Sequence, residues 1–230
     1  NLQKENAIDF DDMIVLSRGK IKSENFKYVL VDEFQDISQA RAKLLKKIRE
    51  ENNCKLYCVG DDWQAIYKFV GGDISIFTKN FEKYFGYFES EDIDTTFRYG
   101  ENINKVSSQF IQKNPDQLTK VVMPLNNKSK GEICIYDVAN FEEILSKYAS
   151  NNSKIYILGR YKIQNYKTFE MGNAVTKEQV KRVTDKFEKV EYKTIHRSKG
   201  LEADHIFIIN LFVGTEGFPT QKEDDEILNI

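Results

Sequence analysis

The stretch Tyr28-Val29-Leu30-Val31-Asp32-Glu33-Phe34-Gln35-Asp36 decides how this chain is read. A short, wholly apolar run reads as a strand, and it delivers two adjacent carboxylates at its carboxyl end. Similar runs recur at Leu56 to Val59, Ile155 to Leu158 and His205 to Leu211. Between the runs lie segments with helical spacing. Ile37, Ala40, Leu44, Leu45 and Ile48 form an apolar stripe opposite Lys43, Lys46, Lys47 and Arg49, and Glu101 to Lys113 places Ile103, Val106, Phe110 and Ile111 inward. Apolar strands alternating with amphipathic helices predict an α/β fold, its mainly parallel sheet buried on both faces. Ligands of such sheets sit beyond the carboxyl ends of the strands, so the residues after each run are the functional candidates.

Asp32 and Glu33 occupy one such position. Mg²⁺ takes one or two carboxylates plus phosphate oxygens, which suits Asp32, and Glu33 is placed to activate a water for displacement at a terminal phosphate. Taken alone, an acidic pair after a strand is also an ordinary turn. A second constellation follows Leu56 to Val59: Gly60-Asp61-Asp62-Trp63-Gln64-Ala65-Ile66-Tyr67-Lys68-Phe69, with Gly71-Gly72-Asp73 behind it. Gly60 permits a tight exit from the strand, and the Gln64 amide can sense a phosphate or a water. Trp63, Tyr67 and Phe69 interleaved with Lys68 suit stacking on unpaired bases, although core packing of Tyr67 or Phe69 explains part of the same pattern.

These two stretches, together with Thr95-Thr96-Phe97-Arg98 and Thr194-Ile195-His196-Arg197-Ser198-Lys199-Gly200-Leu201-Glu202, resemble motifs II to V of the UvrD/Rep group of superfamily 1 DNA helicases, in that order. Within the group the wording is most similar to the helicase IV branch, which shares Asp-Asp-Trp-Gln-Ala-Ile-Tyr, Phe110 to Pro115 and Glu216 to Pro219. The resemblance implies two RecA-like lobes of the P-loop NTPase type, the first incomplete, over residues 1–94 and 95–230. It implies ATP and Mg²⁺ as cofactors, with Asp32 and Glu33 at the metal, Glu33 as base, Gln64 reading the γ-phosphate and Asp61 beside the nucleotide. Phe97 would stack on adenine and Arg98 would stabilise the transition state. Gly200 and Glu202 would lie near the nucleotide, Glu202 accepting from a ribose hydroxyl. Trp63, Tyr67, Phe69, Thr194, His196 and Ser198 would contact DNA. The implied activity is movement along single-stranded DNA, 3′ to 5′, with duplex junctions as further substrates and bacterial cytoplasm as location. A helicase-like binding module without hydrolysis, and the helicase part of a helicase-nuclease, are the alternatives.

The chain departs from that group in several places. No G-x-x-x-x-G-K-[ST] loop can be written, and the group's final arginine motif is absent. The expectation is a piece cut from a longer protein, nearly inactive in isolation. The path from Arg98 to Thr194 is too short for the large domain inserted there in UvrD and Rep. Arg197 stands where relatives more often carry a small residue, and Ile8 to Met13 reads as a packing helix without a metal site.

Composition agrees with an ordinary globular chain: 40% hydrophobic, 30% charged, Lys+Arg 34 against Asp+Glu 36. With no global basic field, nucleic-acid contact requires a local patch. Cys54, Cys58 and Cys134 form no CxxC pair, which favours reduced, intracellular thiols over a zinc site. Ile206 to Val213 is well short of the ~18–20 residues of a membrane helix, no signal peptide is visible, and no membrane partner is expected. Asn114 to Gly131 reads as an exposed connection, Glu170 to Lys181 as loop or weak helix, and Glu223 to Glu226 as a solvated tail.

Overall fold

The computed structural model describes residues 7–115, 117–125, 131–149, 152–163 and 174–212. They fall into two compact units: the first takes the described residues within 7–96 and 104–125, the second those within 97–103 and 131–212.

The first unit opens with α1 (Phe10–Arg18), started by a reciprocal capping box between Asp9 and Asp12. The expected helix is present, yet Phe10 and Met13 lie exposed on it. Strand β1 (Tyr28–Val31) pairs in parallel with β2 (Lys55–Cys58), Val31 opposite Cys58. Helix α2 (Gln39–Asn52) crosses between them. Ser38 caps its start by accepting from the Arg41 N–H, and Asn53 ends it in the left-handed region, as caps of these types do. Two short helices, α3 (Ser75–Thr78) and α4 (Phe81–Phe85), follow. The core is Phe34, Ile37, Ala42, Leu45, Ile76 and Phe85, with Val29, Val31, Leu56 and Cys58 packed against it. Phe34 is its hub, with ring centroids 5.9, 5.5 and 5.9 Å from Phe77, Phe81 and Phe85. The residue immediately after the acidic pair is therefore anchored in the core of the unit.

The expectation of burial on both sheet faces fails here. Val29, Val31, Leu56 and Cys58 face the core, while Tyr28, Leu30 and Tyr57 point the other way and are exposed, Leu30 to 74%. A strand's side chains alternate between faces, and among the described residues only one face of this pair is covered. A second small parallel pair joins β3 (Thr95–Thr96) to β4 (Met123–Pro124). Strand β4 lies in the stretch read as an exposed connection, whose described residues are all exposed or half-buried but are tied down where Met123 N–H donates to Asp94 O and Leu125 N–H to Thr96 O. Helix α5 (Glu101–Ile111) forms as expected, but Val106 and Phe110 are exposed rather than inward, Phe110 to 75%.

The second unit is built on a parallel sheet in the order β6-β5-β7: β5 (Ile155–Gly159), β6 (Val190–Thr194) and β7 (His205–Ile208). Every residue of β5 is buried, as a central parallel strand requires. Helices α6 (Phe141–Ala149) and α7 (Lys177–Lys186) supply Phe141, Leu145, Val180 and Val183 to the core. The segment 174–181, read as loop or weak helix, contains the start of α7, fixed by a capping box between Thr176 and Gln179. Strand β7 stops short of the expected Leu211 because Asn210 takes φ 60°. The Asn210 carboxamide is buried and exchanges bonds with the Val175 backbone, accepting at 2.8 Å and donating at 3.3 Å. Sequence features at Glu216 to Pro219 and Glu223 to Glu226 lie outside the described residues.

Candidate functional site

In the first unit the carboxyl ends of β1 and β2 carry Asp32, Glu33, Asp61 and Gln64. Glu33 has φ 51°, ψ 40° and begins the tight 3-10 turn Phe34–Asp36. Its backbone N–H donates to Asp32 Oδ1 at 2.8 Å. Both carboxylates are exposed, held at the strand end by Phe34 in the core below. Among the described residues no cluster of three or more His, Cys, Asp or Glu could hold a metal ion. The donor set is two hard oxygens on one strand end, which fits an Mg²⁺ completed by phosphate oxygens and water and does not fit an all-protein cage.

Gln35, present in the motif but given no role in the sequence reading, is the residue that ties the two constellations together. It is 2% exposed. Its Nε2 donates to Glu33 Oε2 at 2.6 Å, and its Oε1 accepts from the Asp61 N–H at 2.9 Å. Gly60 is a glycine for reasons of space: a Cβ there would lie 2.7 Å from Gln35 Oε1, 3.1 Å from Gln35 N and 3.2 Å from Phe34 N. The close approach of the two strand ends therefore depends on a missing methyl group.

The Gly60 turn continues into a 3-10 helix, Asp62–Gln64, capped by Asp61, whose Oδ1 accepts from the Trp63 N–H at 3.1 Å. Asp61 Oδ2 accepts from Gln64 Nε2 at 2.7 Å. That bond uses one amide proton and leaves Gln64 a carbonyl oxygen and a second proton for a ligand. Lys120 ion-pairs with both acids, at 2.5 Å to Asp61 and 2.7 Å to Asp62. Burial pushes the Asp61 carboxyl up, but Lys120, Gln64 and the Trp63 amide outweigh it and hold the group below its ordinary value. Burial likewise lowers Lys120, and its two carboxylate partners outweigh that, leaving the ammonium above its ordinary value. Sequence reasoning missed Lys120 because it lies in a polar stretch read as exposed. The available signal was Asp61-Asp62 itself, two adjacent acids with no cation beside them in sequence.

Trp63 donates its indole Nε1–H to Leu118 O at 3.1 Å, and Lys120 Nζ stands 4.8 Å from its ring centroid. One edge and one face of the expected stacking platform thus serve the fold. Tyr67 and Phe69 are adjacent, 6.1 Å between centroids, with Tyr67 half-buried and Phe69 exposed to 69%.

In the second unit β6 runs directly into α8 (Ile195–Ser198). Thr194 caps it, Oγ1 accepting from the Arg197 N–H at 3.3 Å, and Ser198 Oγ donates to Ile195 O at 2.8 Å. The Thr194 hydroxyl proton is not used in that cap, whereas the Ser198 proton is committed locally. His196 is exposed beside them, its pKa lowered by partial burial and then by the Arg160 charge. Gly200 takes φ +75°, a conformation that favours glycine, and turns the chain toward Glu202. Arg98 Nε lies 3.6 Å from Glu202 Oε2, both side chains largely exposed. Two residues expected at the nucleotide are thereby brought together, through a surface pair worth at most ~1 kcal/mol. Phe97 is exposed.

The first unit thus carries strand-end carboxylates beside a glutamine-bearing turn, and the second carries an arginine-carboxylate pair. Residues 1–85 match the family model described as the UvrD/REP helicase N-terminal domain. The chain is similar to DNA helicase IV of Escherichia coli (strain K12), 39% identical over 97% of this chain and 32% of that protein. A probable DNA helicase II homolog of Mycoplasma capricolum is 29% identical over 80% of this chain and 26% of its own length. The ATP-dependent DNA helicase PcrA of Leuconostoc citreum is 27% identical over 61% of this chain and 20% of its own length. The chain spans about a third or less of the length of these curated relatives. No helix among the described residues is long and apolar enough to cross a membrane.

Proposed function

We propose that this chain forms part of the motor of an ATP-dependent DNA helicase, its two compact units corresponding to parts of two RecA-like lobes. The reading is supported by the names of its relatives and, most directly, by the Gln35 bridge that joins the Glu33 carboxylate to the Gly60–Gln64 turn. Asp32 would hold Mg²⁺ bound to ATP. Glu33, fixed by Gln35, would orient and deprotonate the attacking water, while Gln64 senses the terminal phosphate. Arg98 would leave Glu202 for the developing charge on that phosphate, freeing the Glu202 carboxylate for a ribose hydroxyl, with Phe97 against the base. Single-stranded DNA would lie on Tyr67 and Phe69 in one unit and on Thr194, His196 and Ser198 in the other, gripped by stacking and phosphate contacts without sequence preference.

The test is Glu33→Gln in the full-length protein. ATP binding is expected to persist while DNA-stimulated turnover falls by at least ~100-fold, the usual scale of a lost general base. A variant with parental kcat removes Glu33 as the base, and a parent protein without DNA-stimulated ATP hydrolysis removes the function.

A further inference from the structure

The segment 117–120 is fastened across the Asp61–Gln64 turn like a strap, at four points. The Leu118 N–H donates to Asp62 Oδ2 at 2.7 Å. Gln117, with its amide nitrogen turned toward Asp62, donates to the same oxygen at 2.8 Å and to the Asp62 carbonyl at 2.9 Å. The Leu118 carbonyl receives the Trp63 indole N–H, and Lys120 closes the set on both carboxylates. Asp62 is 1% exposed. A buried carboxylate so placed demands full pairing, and the strap supplies it through Gln117, Leu118 and Lys120.

We propose that Lys120 is a positioning residue for ATP turnover: it holds the Asp61 carboxylate, which in turn holds the Gln64 carboxamide in the orientation that reads the terminal phosphate. This rests on the function proposed above. The physical reason lies in the sharing of one carboxylate. Asp61 offers Oδ2 to Gln64 while Oδ1 is fixed by Lys120 and the Trp63 N–H. A carboxylate anchored on one oxygen presents the other in a set direction, and a glutamine side chain whose end is pinned loses the rotamer freedom that would otherwise blur its aim. Without the ammonium, Asp61 and Asp62 stand as adjacent like charges, and Asp61 rotates to reduce their repulsion. Gln64 follows it. In this role Lys120 acts through Asp61 and not on the substrate, so the consequence falls on the transition state and not on ATP affinity.

The experiment compares the full-length parent with Lys120→Met and Lys120→Arg. For Lys120→Met, kcat of DNA-stimulated ATP hydrolysis is expected to fall at least ~10-fold with KM for ATP within ~3-fold, the pattern of an interaction realised in the transition state. Lys120→Arg, which keeps a cation able to serve both carboxylates, is expected to stay within ~3-fold of the parent. Trp63 is the single tryptophan of these 230 residues; in full-length protein with its other tryptophans replaced by phenylalanine, acrylamide quenching of Trp63 emission should rise in Lys120→Met as the strap loosens. A Lys120→Met protein with parental kcat, or one whose KM rises as much as kcat falls, overturns the proposal, as does unchanged quenching. If Lys120→Met does not fold by circular dichroism, Asp61→Asn carries the test: a fall in kcat at constant KM supports the positioning role, and parental kcat overturns it. A parent that hydrolyses no ATP overturns the function and the role together, whereas an active parent with an indifferent Lys120→Met overturns the role alone.

Discussion

Gly60→Ala tests how tight the contact between the two strand ends is. The new methyl would sit 2.7 Å from Gln35 Oε1 and within 3.1 and 3.2 Å of the Gln35 and Phe34 backbone nitrogens. Gly60 is not among the residues at positive φ, so the backbone itself accepts alanine, and the unfolded chain loses entropy in the protein's favour by ~0.4–1 kcal/mol. Against this, the Gln35 carboxamide must move, and Gln35 is nearly fully buried with both ends in use. Leaving the Asp61 N–H without its acceptor costs ~1–3 kcal/mol, and weakening the bond to the largely exposed Glu33 about 1 kcal/mol more. The net expectation is destabilisation by about 1–3.5 kcal/mol, once the entropy gain is subtracted. Urea unfolding followed through Trp63 reads the first unit specifically, since that unit holds the single tryptophan, and the m-value should not change. In a Gln35→Ala background the oxygen is gone, so Gly60→Ala should cost at least ~1 kcal/mol less, a coupling expected of residues in contact. A cost below ~0.5 kcal/mol on the scale of a neutral surface change, or simple additivity with Gln35→Ala, would refute the steric account.

The remaining predictions concern titration and thiol access. His196 should titrate by NMR below the ordinary 6.5, because burial and then Arg160 disfavour the imidazolium. Its folded pKa is depressed, so the stability it contributes is complete above the unfolded value and is lost as pH falls through the folded one; a midpoint at or above 6.5 contradicts this. Cys134 is exposed whereas Cys54 is buried, and burial pushes the Cys58 thiol up to about 12. A thiol reagent at pH 8 should therefore modify Cys134 rapidly and the other two only on unfolding, since the thiolate is the reactive form. Rapid modification of Cys58 in the folded chain would show its strand face to be open.

The strands and the polar residues at their ends were legible in the sequence because both are local. Tyr28 to Val31 and Ile155 to Leu158 are apolar runs whose meaning does not depend on distant residues, and Asp32, Glu33, Gln64 and Arg98 stand out through the resemblance of the short motifs that hold them. Sequence alone could not tell that Leu30 and Tyr57 lie on an uncovered face, since a fully apolar strand carries no alternation to say which side is wet. Nor could it pair Asp61 with Lys120, 59 positions away, or Arg98 with Glu202. Such partners are chosen by where the chain returns after a turn, and only the folded arrangement decides which cation meets a buried carboxylate. Gln35 shows both sides of the matter: its place beside Asp32 and Glu33 is written in the motif, but its bond to the Asp61 backbone exists only because Gly60 lets two strand ends approach.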